Sequence, residues 1–374
     1  MQTAGHPPLT AERVIALLLS RGLLSERLLV EGDVRVEETP GRNHNFRVEV
    51  TGGPGYFLKQ APSEDTEDSP LEIEAELYRR VLEEQAWSPL RPMVPAFRLY
   101  EAQRAVLVTE LARELTGVAG LGDGHSMLGL GRVSGPLARA LAVCHGMRPG
   151  SGAPDLDFLP REAPGILGIT RPHPGVLQYL SPAQLQVIRM IQERPAITAA
   201  FDEIRVGWSA TCLVHGDVKW PNVLARVDAP SGAPAGVVLF DWELARLGDP
   251  AWDVGSVLHG YLTYAVLSAA VPDNACPREA AESIGATLPA FHGELRTFWH
   301  TYVESVSASG EGRRPSLGQA IACCAARLVQ SGYEWSQEET AVPGRAAAIL
   351  QLGINMLGRA DEAREVVLGG LTEH

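Results

Sequence analysis

Two apolar runs in the second half of the chain each stop at polar residues able to handle charge. The first, Cys212-Leu213-Val214, ends in His215-Gly216-Asp217, and five residues beyond the aspartate comes Asn222, followed by Val223-Leu224. The second, Val237-Val238-Leu239-Phe240, ends in Asp241-Trp242-Glu243. The segment Asp228 to Gly236 between them is rich in Pro, Gly and Ala and reads as a hairpin-like turn. If the runs on either side of it pair, Asn222 and Asp241 fall at the same end. An amide oxygen and one carboxylate, completed by phosphate oxygens and water, form an octahedral set that suits Mg²⁺.

The cationic residues carry a second signal. Of 32 basic residues, 30 are arginine and only Lys59 and Lys219 are lysine. A coding bias toward arginine explains the scarcity, and the abundance of Ala, Gly and Pro agrees with it, but it does not explain which two lysines survive. A guanidinium is a broad planar fork that cannot copy a compact ammonium in a crowded phosphate site. Lysine should persist where that difference matters.

His215-Gly216-Asp217-x-x-x-x-Asn222, followed by Asp241-Trp242-Glu243 and by Gly248-Asp249-Pro250-Ala251-Trp252-Asp253, resembles the active-site signature of the aminoglycoside phosphotransferase and related small-molecule kinase family. The resemblance runs from about Gly41 to Val254 and is strongest between Val214 and Asp253. It implies an α+β, protein-kinase-like two-lobed fold: a small antiparallel β-sheet lobe with one helix, then a larger, mainly helical lobe, with ATP in the cleft. ATP and Mg²⁺ are the implied cofactors. Asp217 then resembles the catalytic aspartate that accepts or orients the proton of the attacking hydroxyl, while Asn222 and Asp241 resemble the metal ligands. Asp253 resembles the aspartate that braces the catalytic loop. Lys219 falls near the transferring phosphoryl group, and Lys59, ending Tyr56-Phe57-Leu58-Lys59, falls where the family grips the α- and β-phosphates. Both lysines thus land on phosphate positions.

The resemblance also places Pro40 to Phe46, with Gly41, Asn43 and Asn45, as the turn over the phosphates. Leu107 to Ala112 takes the place of the hinge, whose backbone at Glu110 and Ala112 would bond adenine. No glycine-rich loop ending in Gly-Lys-Ser or Gly-Lys-Thr is present, which excludes a Walker-type ATPase. A phosphate-gripping lysine needs a helical glutamate to hold it. Leu71, Leu77, Tyr78 and Val81 form an apolar stripe, and Glu74 lies three or four residues from the first three of them, so Glu74 is the partner assigned to Lys59. Glu76, four residues before Arg80, reads as a surface pair. His215 anchors the loop, His145 ends an apolar helix, and Glu243 is a minor candidate for metal or substrate.

These side chains need elements to position them. A short amphipathic helix over Ala11 to Ser20 leads into β-type runs at Leu28 to Glu37, Asn45 to Val50 and Tyr56 to Gln60. The acidic segment Ala61 to Pro70 is a solvated loop, and a helix follows over Leu71 to Glu84. Arg98 to Tyr100 and Ala105 to Thr109 are two more strands. Beyond them the chain reads mostly helical, with Val133 to Gly146 the clearest helix, Arg148 to Gly175 irregular and helix resuming near Ser316. The boundary between the lobes is placed at 1–112 and 113–374.

Composition sets the remaining bounds. A chain of 374 residues is long enough for two domains, and its net charge of −13 offers no basic arm for nucleic acid or anionic lipid. No run approaches the length that spans a bilayer, and the first residues lack the pattern of a secretory signal, so a cytoplasmic protein with no membrane contact is expected. The five cysteines are not spaced as metal ligands or as a redox pair. The expected partner is a small-molecule hydroxyl acceptor, with Ser or Thr of a peptide as the alternative. A nucleotide-binding pseudokinase scaffold is a third reading, which the full set of Lys59, Asp217, Asn222 and Asp241 argues against.

Overall fold

The computed structural model describes residues 7–62, 69–112, 115–117, 132–150, 153–227, 234–269, 277–309 and 314–373. They divide into two compact units. One takes the described residues of Met1–Thr116 and Asn222–Ala245, the other those of Gly117–Pro221 and Arg246–His374. The middle of the acidic loop (63–68), most of the Asp228 to Gly236 turn (228–233), residues 151–152 of the irregular stretch and Cys276 lie outside the described residues.

The first unit opens with α1 (Ala11–Ser20), capped by Thr10, whose hydroxyl accepts the Arg13 N–H. A second helix, α2 (Glu26–Glu31), corrects the expected strand over Leu28 to Glu37: the strand begins only at β1 (Val34–Thr39). The apolar Leu28-Leu29-Val30 fits either period, and the Ser25 side chain decides by capping the Leu28 N–H, while Gly32 ends the helix. With β2 (His44–Val50), β3 (Tyr56–Gln60), β4 (Phe97–Glu101) and β5 (Val106–Glu110), β1 forms an antiparallel sheet of order β1-β2-β3-β5-β4. Phe46, Val48, Leu58 and Val108 bury one face against Val14, Leu17 and Leu18 of α1. Side chains alternate along a strand, so Lys59 leaves β3 on the opposite face from Leu58. Helix α3 (Pro70–Glu83) carries Glu74 on its buried stripe beside Leu71, Leu77 and Tyr78.

Later segments complete this unit. Strands β8 (Val223–Val227) and β9 (Pro234–Leu239) pair antiparallel with Val223 opposite Leu239, and β6 (Leu115–Gly117) lies along β8. Pro234 to Gly236, expected as turn, belong to the strand.

The second unit is mainly helical: α4 (Ser134–Gly146), α5 (Pro174–Leu177), α6 (Pro182–Gln192), α7 (Pro195–Val206), α8 (Pro250–Ser268), α9 (Pro277–Thr287), α10 (His292–Ser309), α11 (Leu317–Glu334) and α12 (Gly344–Gly358). Its one described pair of strands joins β7 (Cys212–Val214) to β10 (Arg246–Gly248). Ser316 and Gln319 close a reciprocal cap at the start of α11. Trp252, Cys323, Ala326, Val329 and Leu350 share one core in which α11 packs on α8 and α12. Burying each large apolar side chain there contributes roughly 1.5–3 kcal/mol. Gly255 of α8 allows the crossing: a Cβ would stand 2.7 Å from both the Cys323 Cβ and the Cys324 N. That approach fixes where the residues of α11 stand over the start of α8. No described helix is long and apolar enough to cross a membrane.

Candidate active site

In the first unit, the Lys59 ammonium donates to Glu74 Oε2 at 2.7 Å and to Asp241 Oδ1 at 2.5 Å. The lysine side chain is 10% exposed and that of Glu74 only 1%. Burial alone would lower the lysine pKa, but the two carboxylates outweigh it and hold the ammonium charged above the usual lysine range. Tyr78 donates from its hydroxyl to Glu74 Oε1 at 2.8 Å, which fixes the carboxylate from its other side. Glu76 pairs with Arg80 at 2.6 Å, four residues along the helix surface.

Asp241 takes a left-handed backbone, φ 68° and ψ 57°, unusual for a residue with a Cβ and tolerated best by Asp and Asn. This kink ends β9 and turns the carboxylate toward Lys59. The Phe240 N–H donates to the Asn222 carbonyl at 2.9 Å, so Asn222 and Asp241 stand at the same end of the β8–β9 pair. Their side chains supply one amide oxygen and one carboxylate, a hard-oxygen set.

The turn between β1 and β2 reaches the same neighbourhood. Asn43 Nδ2 donates to Glu243 Oε2 at 3.0 Å, with the Arg42 guanidinium 4.0 Å from Oε1. Burial, then the nearby Asp241 carboxylate, raises the Glu243 pKa. The Asn45 amide lies where a side chain at Gly41 would stand, and Asn45 is the β2 partner of Lys59 across the sheet. At the end of β5, Glu110 donates its N–H to the Ala96 carbonyl at 2.8 Å and its side chain pairs with Arg98. The Ala112 carbonyl accepts the Leu115 N–H at 3.3 Å.

In the second unit, β7 leads into the loop that carries Asp217. The buried Asp253 carboxylate accepts the N–H of His215 at 2.7 Å and of Gly216 at 2.9 Å. His145 bridges Asp253 Oδ2, at 3.3 Å, to the Tyr302 hydroxyl, at 2.7 Å. Burial opposes the charge of Asp253, yet the His145 hydrogen bond and the backbone donors prevail and its pKa is lowered. Gly216 holds φ at 83°, a conformation L side chains avoid, and its carbonyl accepts from Trp252 Nε1 at 2.9 Å. The Asp217 N–H then donates to His215 Nδ1 at 3.2 Å. Each backbone group of this turn that is bonded fixes the direction of the next side chain.

The Asp217 carboxylate meets two cations. Lys219 Nζ lies 2.6 Å from Oδ2, and Arg327 Nη2 donates to Oδ1 at 2.8 Å. Burial pushes the Asp217 pKa up, but Arg327 and then Lys219 overcome it and hold it at about 2. Arg327 is itself only 5% exposed. Its guanidinium lies 5.6 Å over the Trp252 ring, and Nη1 donates to Gln330 Oε1 at 2.8 Å. A carboxylate held at so low a pKa is a weak proton acceptor and a strong, permanently ionised hydrogen-bond acceptor.

Sequence reasoning did not single out Arg327. Its signal is that one charge interrupts the otherwise apolar Ala320-Ile321-Ala322-Cys323-Cys324-Ala325-Ala326-Arg327-Leu328-Val329. A buried charge in such a run needs a partner of opposite sign. Cys323 and Cys324 are free thiols, both buried.

Residues 37–298 match the model of the phosphotransferase enzyme family. No curated protein matches the chain. Among solved structures, the choline kinase LicA from Streptococcus pneumoniae aligns with a TM-score of 0.53 at 14% identity, covering 93% of this chain and 98% of that one. An amicoumacin kinase in complex with AMP-PNP, Ca²⁺ and Ami aligns with a TM-score of 0.52 at 12% identity, covering 94% and 97%. A glucosamine kinase in complex with glucosamine, ADP and inorganic phosphate aligns with a TM-score of 0.51 at 14% identity, covering 87% and 82%. At these identities the likeness is one of fold, the α+β arrangement of protein-kinase-like enzymes. The family pattern covers most of the sequence, from β1 into α10, and on that ground the chain belongs to the phosphotransferase enzyme family, as a kinase-type phosphotransferase.

Proposed function

We propose that the protein transfers the γ-phosphate of ATP to a hydroxyl group of a small molecule. The observation that carries this reading is the buried Lys59 ammonium, bound at once by Glu74 and by Asp241. A lysine held charged in this way, in a chain that has almost replaced lysine by arginine, is a built phosphate contact. Kinases of choline, glucosamine and amicoumacin among the structural neighbours support a small-molecule acceptor.

The roles follow from the chemistry of each group. Lys59 binds the α- and β-phosphates, with Glu74 as the anchor that fixes its Nζ. Gly41, Asn43 and Asn45 form the turn over the phosphates, and the backbone at Glu110 and Ala112 takes adenine. Asn222 and Asp241 would hold Mg²⁺, which when bound neutralises charge on the phosphate oxygens. Lys219 offers its ammonium to the transferring phosphoryl group. Asp217 accepts a hydrogen bond from the acceptor hydroxyl and aims its oxygen at the γ-phosphorus.

As the new P–O bond forms, the bond from γ-phosphorus to the bridging oxygen breaks and its electron pair leaves with ADP. The hydroxyl proton passes to Asp217 late, once the attacking oxygen has gained positive character, and from there to solvent. With a pKa near 2, Asp217 contributes mainly by orientation, which suits a loose phosphoryl-transfer transition state. Aligned positioning of this kind supplies up to about 7–11 kcal/mol of barrier reduction.

The test is ADP release by wild type, Asp217→Ala and Asp217→Asn across aminoglycosides, macrolides, sugars, hydroxyacyl compounds and peptides, with ATP affinity measured by calorimetry. Acceptor-dependent ADP release lost in both variants, with ATP affinity within about threefold of wild type, supports the reading. Wild-type turnover by the Asp217→Ala protein would sink it.

A further inference from the structure

The turn between β1 and β2 is restrained by a residue outside its own hairpin. Pairing of the two strands ends at Thr39 opposite Asn45, and Pro40, Gly41 and Arg42 are exposed in the turn that follows. Next along the turn, Asn43 Nδ2 donates to Glu243 Oε2 at 3.0 Å, across 200 positions of sequence. The Arg42 guanidinium stands 4.0 Å from the other oxygen, Oε1, but its side chain is 54% exposed, and so long and wet a contact contributes little. The Glu243 side chain, by contrast, is only 13% exposed. The Asn43 bond is the shorter and better shielded of the two.

Glu243 can serve as an anchor because its own backbone has little freedom. It sits in the single helical turn Trp242–Leu244, which starts at the left-handed Asp241. Trp242 is fully buried, and its Nε1 donates to the Leu239 carbonyl at 2.9 Å. The Ala245 N–H closes the turn on the Trp242 carbonyl at 2.9 Å, and α3 packs against it. Asp241 and Glu243 thus share one fixed piece of backbone, from which Asp241 reaches Lys59 and Glu243 reaches Asn43. Moving Asn43 away from Lys59 and Asp241 has to stretch or break its bond to Glu243.

We propose that Glu243 is a positioning residue of the nucleotide site: through Asn43 it holds the β1–β2 turn in place over Lys59 and Asp241, and it is not a ligand of the metal ion. The sequence leaves metal, substrate and plain surface polarity open for this glutamate, and its oxygens decide among them. Oε2 is engaged by Asn43 and Oε1 faces Arg42, so an ion on either would stand beside an amide hydrogen or a guanidinium. Among the described residues, Asp241 and Glu243 belong to no group of three or more His, Cys, Asp or Glu able to hold an ion. A turn fixed before nucleotide arrives avoids the entropy loss of ordering it on binding. The assignment rests on the reading of this site as the one that binds ATP, and the experiment below separates the two.

Mg·AMP-PNP is titrated by calorimetry into the full chain as wild type, Asn43→Ala, Glu243→Ala, the double alanine variant and Glu243→Gln. Each single alanine is expected to weaken binding about tenfold, and the double variant also about tenfold in all, because either change removes the same bond. Glu243→Gln keeps an oxygen for the Asn43 amide and should recover affinity to within about threefold of wild type. Glutamine as weak as alanine, no effect of Glu243→Ala, or alanine effects that multiply to about a hundredfold in the double variant each overturn the proposal. In a second arm, Mn²⁺ bound with saturating AMP-PNP is followed by electron paramagnetic resonance. A metal ligand at Glu243 would weaken that ion by roughly 10–100-fold in Glu243→Gln, and this result also overturns the proposal. If these tests fail while the wild type binds Mg·AMP-PNP, only the Glu243 assignment falls. A wild-type protein that binds no Mg·AMP-PNP overturns the reading of the site and the assignment with it.

Discussion

Arg327 Nη2 donates to Asp217 Oδ1 over 2.8 Å from the middle of α11, 110 residues further along the chain. The residue proposed to orient the acceptor hydroxyl thus has its charge state and rotamer set by a helix outside the recognisable catalytic loop. Arg327 can do this because Trp252 covers its guanidinium face and Gln330 holds its second nitrogen. Close packing of α11 on α8 at Gly255 places all three.

Replacing Arg327 with Met should therefore change the pH profile as well as the rate. In the wild type, burial raises the Asp217 pKa while Arg327 and Lys219 bring it down to about 2, so no acid limb from Asp217 enters the pH range above 4. Without Arg327 the effect of burial loses its strongest opponent, and Lys219 remains to counter it. An acid limb in kcat/KM is then expected to climb into the measurable range, with kcat lower by on the order of 100-fold from lost orientation. Arg327→Lys should restore part of the charge effect and little of the orientation, because an ammonium cannot stack on Trp252 and reach both Asp217 and Gln330. A variant that loses rate with an unshifted limb would mean that Arg327 acts only on folding.

Much of this arrangement is legible in the sequence, for identifiable reasons. Lysine scarcity singles out Lys59, and the apolar stripe of α3 selects Glu74 as its partner, a pairing the structure shows at 2.7 Å. The two apolar runs around a turn put Asn222 and Asp241 at one end of a hairpin, as found. These signals are local, and period and spacing suffice to read them. The pairing of β7 with β10 spans a whole hairpin and has no local signature. Helix α2 escaped because six residues with three consecutive apolar positions satisfy neither period distinctly, and a single serine cap decides. Arg327 escaped because its meaning lies in a tertiary contact, and 29 other arginines hide it.

Asp253 should contribute to the acid stability of the second unit. It is fully buried and accepts the N–H groups of His215 and Gly216, and its pKa is lowered against the opposing effect of burial by His145 and these donors. A carboxyl depressed in the folded state stabilises the protein above its unfolded pKa, about 3.9, and loses that contribution as pH falls through the lower folded value. Asp217 adds to the same window: a pKa of about 2 against 3.8 contributes on the order of 2 kcal/mol, lost between about pH 4 and pH 2. Asp253→Asn removes one ionised acceptor and places an NH₂ against backbone donors. Urea titrations at pH 7 should show a loss of about 3 kcal/mol, and those between pH 5 and 3 a shallower decline than wild type. Equal slopes for both proteins would remove Asp253 from the account.

Metal binding should require nucleotide. Among the described residues no group of three or more His, Cys, Asp or Glu side chains is placed to hold an ion, and the proposed site offers only the Asn222 amide and the Asp241 carboxylate. One Asp241 oxygen is already engaged by Lys59, whose positive charge disfavours a second cation nearby. Phosphate oxygens must then supply both the missing ligands and the negative charge, as is usual for Mg²⁺. Mn²⁺ titrations followed by electron paramagnetic resonance should detect no site tighter than about millimolar in the protein alone. A much tighter site should form once AMP-PNP is added. Asn222→Ala and Asp241→Asn should weaken that ternary site by roughly 10–100-fold, with Asp241 the larger effect because it loses a full charge. Tight Mn²⁺ binding without nucleotide, or a ternary site insensitive to both substitutions, would place the ion on other residues.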